Sequence, residues 1–295
     1  MRVLVTGASG FIGKNLLKAF RDDTTIGVCF SRNGSGLASL DLRKKDLVER
    51  FLEESRPDVV IHCAARPSVD WCEGNSEEAR ALNLAPTLTL ASECKRLGAK
   101  LVFLSSDYVF NGDSGPYCEE DPVSPINEYG RLKLEAEQGI VKLLDEHVIV
   151  RTTNIYGYDP ESKNFLMPLL PRLARGERVT VADDQYGNPT HVRDFCNAIR
   201  EVVLARATGL FHIVGPDFVN RVEWLRSAAK VFGVEPDLVQ GMATSEMGQP
   251  APRPLKSGLY SIRLEKIIGR PLLGMDAGLR VMFDDWGQSV PVAQW

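Results

Sequence analysis

Three residues near the middle of the chain have the right types for proton transfer at a carbonyl. Tyr129 and Lys133 stand four apart in "YGRLK", so on a helix they lie one above the other on a single face. An unperturbed tyrosine pKa is about 10. An ammonium beside the phenol favours tyrosinate and draws that value toward the working range of an acid–base catalyst. Such a pair arises by chance on many helices and gains meaning only next to other groups. One is Ser106, which ends the apolar run "KLVFL" in "SSDYVFNG", a stretch more polar than a plain turn needs. A hydroxyl and a phenol together can hold and polarise a carbonyl oxygen while hydride arrives from elsewhere.

The first residues point to the hydride source. "TGASGFIG" places Gly7, Gly10 and Gly13 between a β-branched run, "RVLVT", and a segment with Ile12, Leu16, Leu17 and Phe20 at helical spacing. In a strand–turn–helix unit, such glycines let backbone N–H groups approach a pyrophosphate at the positive end of the helix. We expect a dinucleotide against Gly7, Gly10, Phe11, Ile12 and Gly13, with Ala64 and Ala65 at the end of the third strand and Tyr129 and Lys133 at the nicotinamide. An acid at the end of the second strand would bind the ribose 2′-hydroxyl of NAD. This chain instead has Ser31 and Arg32 in "CFSRN". A hydroxyl and a cation suit a 2′-phosphate, which favours NADP, with NAD as the alternative. Asp41 and Leu42 are expected beside the adenine.

The elements that must hold these groups follow from the alternation of apolar runs and amphipathic stretches. Strands are expected at residues 2–7, 25–30, 58–65, 100–106 and 147–153. Helices are expected at 10–23, 44–55, 76–98 and 124–144. Pro86 is expected to kink the third helix; Ser124 would cap the fourth, with Pro125 at its first position. Repeated strand–helix–strand units with nearly continuous apolar strands imply a doubly wound α/β fold of Rossmann type, a parallel sheet covered on both faces. Ligands bind such sheets at the carboxyl ends of the strands, where "SSDYVFNG" lies. We expect residues 1–153 plus about 183–214 to form the dinucleotide-binding domain. About 154–182 plus 215–295, richer in Pro and Gly, would form a smaller, discontinuous substrate lobe.

Composition narrows the classes. The 295 residues are 44% hydrophobic and 25% charged, with a net charge of −4 and no long basic run, so no nucleic-acid partner is expected. The apolar start is too short for a leader peptide or a membrane span. The six cysteines show no CxxC pair and read as reduced thiols of a cytoplasmic protein. The four histidines are scattered, so no metal site is expected.

In order along most of the chain, "VLVTGASGFIG", "DVVIHCAARPSVDWCE", "SSDYVFNG", "PINEYGRLKLEAE", "RTTNIYG", "DDQYGNPT", "GLFHIVG" and "RPLKSGLY" resemble the extended short-chain dehydrogenase/reductases. Within them, the chain is most similar to the dTDP-4-dehydrorhamnose reductase family. The resemblance implies a catalytic set of Ser106 (usually threonine there), Tyr129 and Lys133, and a nucleotide-sugar substrate. It places Val69, Asp107 and Tyr108 at the sugar. Asn154 stands where the family usually carries a tryptophan, offering hydrogen bonds in place of apolar area. Arg253, between two prolines, is expected at the substrate diphosphate. "DDQYGNPTHVRDF" reads as a structural loop with Thr190 capping the next helix. Some reductases of the family pair through magnesium held by an acid two residues past the third glycine; Asn15 stands there, and pairing with a second copy stays open. The implied activity is NADPH-dependent reduction of a nucleotide-linked 4-keto-6-deoxy sugar. The alternatives are an epimerase or dehydratase of the same superfamily and a non-catalytic NADP-binding subunit like that of methionine adenosyltransferase.

Overall fold

The computed structural model describes residues 1–30, 36–161 and 164–289. The first half runs β1 (Arg2–Thr6), α1 (Phe11–Ala19), β2 (Thr24–Cys29), β3 (Ala38–Ser39), α2 (Lys45–Ser55), β4 (Val59–His62), α3 (Val69–Gly74), α4 (Ser76–Asn83), α5 (Ala85–Leu97), β5 (Lys100–Leu104), α6 (Glu128–Leu143) and β6 (His147–Arg151). The second half adds β7 (Ile155–Tyr156), α7 (Leu170–Ala174), β8 (Val179–Ala182), β9 (Tyr186–Gly187), β10 (Thr190–His191), α8 (Val192–Leu204), β11 (Gly209–His212), β12 (Val219–Asn220), α9 (Arg221–Val231), β13 (Val239–Met242), α10 (Ile262–Ile268) and α11 (Met275–Ser289).

Seven of these strands form one sheet, in the order β11-β6-β5-β4-β1-β2-β3, with every pair parallel. This is the Rossmann-type architecture that the strand–helix alternation implies. Successive residues of a strand face opposite sides, and both sides are covered. Val3 and Val5 point to one face, with Leu16 of α1, Phe20 just after it, and Phe195, Ile199 and Val202 of α8. Leu4, Val60 and Leu101 point to the other, with Leu52, Leu90, Leu132, Ala136 and Ile140. Each such Val, Leu, Ile or Phe side chain, fully buried, contributes about 1.5–3 kcal/mol. The order in which strands are added reverses between β1 and β4, so a crevice opens there at the carboxyl ends.

A separate apolar cluster holds the second region together. Tyr156, Leu170, Val181, Trp224, Leu225, Met282 and Trp286 are its centre, and β13 pairs with β8 beside it. From this region the chain returns over residues 251–260 to the connection between β5 and α6. Lys256 N–H donates to Gly112 O (2.8 Å), Gly115 N–H to Lys256 O (3.1 Å) and Tyr117 N–H to Gly258 O (2.7 Å). Among the described residues, no helix is long and apolar enough to cross a membrane.

Three local expectations change. The long helix at 76–98 is two: α4 ends at Asn83 and α5 starts at Ala85, so Pro86 lies in a first turn, where its missing N–H costs nothing. Helix α6 does not begin at Ser124 and Pro125. Asn127 caps it by accepting Gly130 N–H at 2.9 Å, while its own amide donates to Pro252 O at 2.9 Å. Tyr129 therefore sits in the first turn. Thr190 is no cap; it pairs with Ile155, and its hydroxyl accepts Gly215 N–H (3.1 Å) and donates to Asn188 O (3.0 Å). His191 precedes α8 instead, with no side-chain cap bond.

Candidate active site

The cofactor end is built by close approach of backbone. Gly7 has φ +65°, and a Cβ there would meet Ala64 N at 2.8 Å; one at Gly13 would meet Gly7 O at 2.3 Å. Only glycine lets the β1 turn, the loop after β4 and α1 come this close. Gly10, at the start of α1, adds no capping side chain, so the first-turn N–H groups stay available for an anion. This glycine turn fits a dinucleotide pyrophosphate. Thr6 Oγ1 lies 2.7 Å from His62 Nδ1 and accepts Ala64 N–H at 3.3 Å, tying β1 to β4 beneath the turn. Burial, with Lys133 nearby, depresses His62 to about 3.

Two hollows meet at Gly7, Gly10, Cys63, Ala64 and Ala65. One, of ≈ 560 Å³, extends over Phe30, Leu40, Asp41, Leu42 and Arg43. Asp41 and Leu42 thus line this hollow together with the glycine turn. Ser31 and Arg32 lie outside the described residues. Arg43, which the sequence reading missed, holds Asp41 with two bonds of 2.8 Å and lies 4.8 Å over the Phe30 ring. These bonds keep the Asp41 carboxyl below the usual range. The only linear signal was a cation two positions after the acid.

The other hollow, of ≈ 550 Å³, contains Phe11, Ile12, Val69, Ser106, Asp107, Tyr108, Tyr129, Lys133 and Asn154, together with Asn164 and Arg221. A larger hollow of ≈ 780 Å³ lies over Lys18, Arg193 and Arg200 and shares no residue with either. Size therefore does not mark the site; converging chemistry does.

In this second hollow, Ser106, Tyr129 and Lys133 come together. Lys133 Nζ donates to Leu104 O at 2.7 Å and lies 4.7 Å from the Phe103 ring centre and 5.7 Å from that of Tyr129. Burial lowers its pKa to about 8. Tyr129 departs from the expectation of a lowered phenol. Burial, then the Asp107 charge, raise it well above its ordinary value, against a smaller lowering by the Ser106 hydroxyl. In the cofactor-free protein, desolvation decides the direction. The phenol keeps its proton, the state a proton donor needs.

The part of this hollow around Ser106 and Asp107 is equally ordered. Ser106 Oγ donates to Asp107 Oδ1 at 2.9 Å and accepts Tyr108 N–H at 3.2 Å. Asp107 Oδ2 accepts the Ser257 hydroxyl at 2.5 Å. Burial raises the Asp107 carboxyl, against lowering by Ser257, Ser106, Thr153 and Arg221. Tyr108 meets Tyr129 edge to face at 5.9 Å. Asn154 takes a left-handed backbone, φ 49°, which asparagine tolerates well. A Cβ at Gly187 would come within 2.5 Å of its amide, so that glycine makes its room. Arg253 is committed: it donates to Asp70 at 2.7 Å and to Ala251 O at 3.0 Å, and its side chain is 9% exposed. Sequence reasoning also missed Arg221 and Asn164. Arg221 follows the capping Asn220, and nothing in that signal says which cavity the arginine enters.

Comparison with known proteins agrees with this geometry. A family model described as the RmlD substrate binding domain matches residues 1–287. A dTDP-4-dehydrorhamnose reductase of Mycobacterium tuberculosis is 33% identical, over 88% of this chain and 85% of that protein. The methionine adenosyltransferase 2 subunit beta of Xenopus tropicalis is 29% identical, over 90% and 82%. A crystal structure of a dTDP-4-dehydrorhamnose reductase from Bacillus anthracis, in complex with NADP, superposes with a TM-score of 0.88 at 29% identity, covering 96% of this chain and 99% of that one. With a glycine-lined cleft, a Ser–Tyr–Lys set and a match over nearly its whole length, the chain belongs to the RmlD substrate-binding-domain family of reductases.

Proposed function

We propose that this protein is an NADPH-dependent reductase of a nucleotide-linked 4-keto-6-deoxy sugar. The observation that carries the reading is the convergence of Ser106, Tyr129 and Lys133 in a hollow continuous with the glycine-lined cleft. A bound nicotinamide supplies hydride to the carbonyl carbon. Ser106 turns its hydroxyl from Asp107 to the carbonyl oxygen, and Tyr129 gives its proton to the alkoxide that forms. Lys133 holds the nicotinamide ribose and stabilises the resulting phenolate. Asp107, Tyr108, Val69 and Asn154 line the sugar. Residues of about 154–182 and 215–295 act as the substrate lobe, excluding water from the reacting centre.

The test is NADPH oxidation, followed by absorbance, with dTDP-4-dehydrorhamnose and related nucleotide 4-keto sugars. Turnover is expected, faster with NADPH than with NADH. Tightly co-purifying NAD without net NADPH consumption would instead favour an epimerase or dehydratase. NADP binding with no turnover of any keto sugar would favour a non-catalytic subunit, the role suggested by the methionine adenosyltransferase relative; the complete Ser–Tyr–Lys set argues against it.

Lys133 sets a pH dependence with two opposite readouts. Its ammonium exists in the folded, cofactor-free protein below about 8 and is lost above it. Because kcat/KM reports the free enzyme, kcat/KM for NADPH is expected to fall as pH rises through about 8. Stability runs the other way. Between about 8 and 10.5 the unfolded chain binds the proton that the folded chain has released, so stability from this group rises with pH. Lys133→Met is therefore more stable than wild type at neutral pH, by a margin that shrinks as pH rises through that window in urea titrations. A margin independent of pH would contradict the assignment.

A further inference from the structure

Among the described residues, beyond Lys133, whose ammonium is turned to Leu104, one cation faces the hollow that contains Tyr129. This is Arg221, half-buried at the start of α9. Among the described residues it has no carboxylate within 4.0 Å, whereas Arg253 is bound to Asp70. Its guanidinium is nevertheless fixed. Nε donates to Gln185 Oε1 at 2.9 Å, and the group lies 4.9 Å over the Phe165 ring. Gln185 is itself held, its amide donating to Thr244 Oγ1 and Gln249 Oε1, both at 3.0 Å. A guanidinium pinned through Nε and one face keeps its two terminal nitrogens for a forked contact with an anion. Arg221 also borders a smaller recess with Asp107, Tyr108 and Asn154; burial raises both Asp107 and Tyr108, and the Arg221 charge partly opposes that rise. It is therefore placed beside the sugar rather than at the far end of a nucleotide.

We propose that Arg221 is the specificity-determining cation for the phosphate directly attached to the sugar, and that Arg253 acts as a strut holding Asp70 and α3 against the returning chain. This rests on the nucleotide-sugar reading. It implies that a nucleoside diphosphate is read through its outer phosphate, the one a monophosphate lacks.

The experiment is calorimetric titration of the full chain, saturated with NADP⁺, with dTDP and with dTMP, for wild type, Arg221→Gln and Arg253→Gln. The cofactor affinity of each variant is measured first as a check of folding, with Arg253→Lys in reserve if Arg253→Gln fails that check. Wild type should bind dTDP roughly 10–100-fold more tightly than dTMP, the effect of a charge-assisted forked contact. The preference should fall to within about threefold in Arg221→Gln and persist without Arg253. A preference that survives in Arg221→Gln, or one absent from wild type, overturns the proposal. So does a result in which Arg221→Gln instead removes a preference for UDP-glucuronate over UDP-glucose, since the guanidinium would then serve a sugar carboxylate. Binding is read without turnover. An Arg221-dependent preference in a protein that reduces no keto sugar would uphold the phosphate contact while removing the reductase reading.

Discussion

Tyr129→Phe should fold, bind NADP⁺ as wild type does, and reduce keto sugar roughly 10²–10⁴-fold more slowly in kcat, the usual contribution of a positioned proton donor. The substitution removes one oxygen. The ring keeps its edge-to-face contact with Tyr108, and the helix keeps its cap at Asn127. What disappears is the phenol proton that shares the hollow with Ser106 and Lys133 and is retained chiefly by burial and then by Asp107. Substrate affinity should change little, because the ground-state carbonyl still has Ser106. Single-turnover and steady-state rates measured side by side check this. A variant with wild-type kcat would mean that the proton comes from elsewhere.

The second large effect is on stability. Glu137 lies one helical turn beyond Lys133 and is buried with Arg151; their side chains are 7% and 5% exposed. Arg151 holds both carboxylate oxygens, through Nε at 3.0 Å and a terminal nitrogen at 2.6 Å, and Ser105 donates its hydroxyl to the same carboxylate. Arg151 also lies 5.1 Å over the Phe110 ring. Glu137→Ala leaves a guanidinium charge in the interior without its counter-charge, and breaking such a pair costs about 3–5 kcal/mol. Urea unfolding should show that loss. Glu137→Leu/Arg151→Met, which removes both charges at similar volume, should recover most of it, since a buried pair often contributes little over an apolar replacement. A loss below about 1 kcal/mol in Glu137→Ala, the range of exposed pairs, would show that water reaches the site.

These two cases also show what the linear sequence could convey. Tyr129, Lys133 and the three glycines were legible because their meaning is local: a four-residue spacing on a helix, and a turn between a strand and a helix. The parallel sheet was legible because two-sided burial leaves a continuous apolar run such as Val59–His62. The cap of the catalytic helix was not. Asn127 prevails over Ser124 because its amide also bonds Pro252, 125 positions away. The same limit hid the bond between Arg253 and Asp70, 183 positions apart, and the exposure of Arg221 to the hollow. The shift of Tyr129 was misjudged for a related reason: spacing reveals the lysine, but desolvation depends on everything folded around the ring.

The strand-like return of residues 251–260 has a consequence for how this enzyme can be altered. It carries Ser257 to Asp107, the same carboxylate that receives the Ser106 hydroxyl, and supplies the acceptor for the Asn127 amide. The portion proposed to choose the sugar is thus sewn into the portion proposed to perform reduction. Grafting that portion from a relative to obtain a new sugar preference would disturb the orientation of the reacting serine and the footing of the tyrosine together. Selectivity and rate are inherited here as one unit, and changing the first means re-optimising the second.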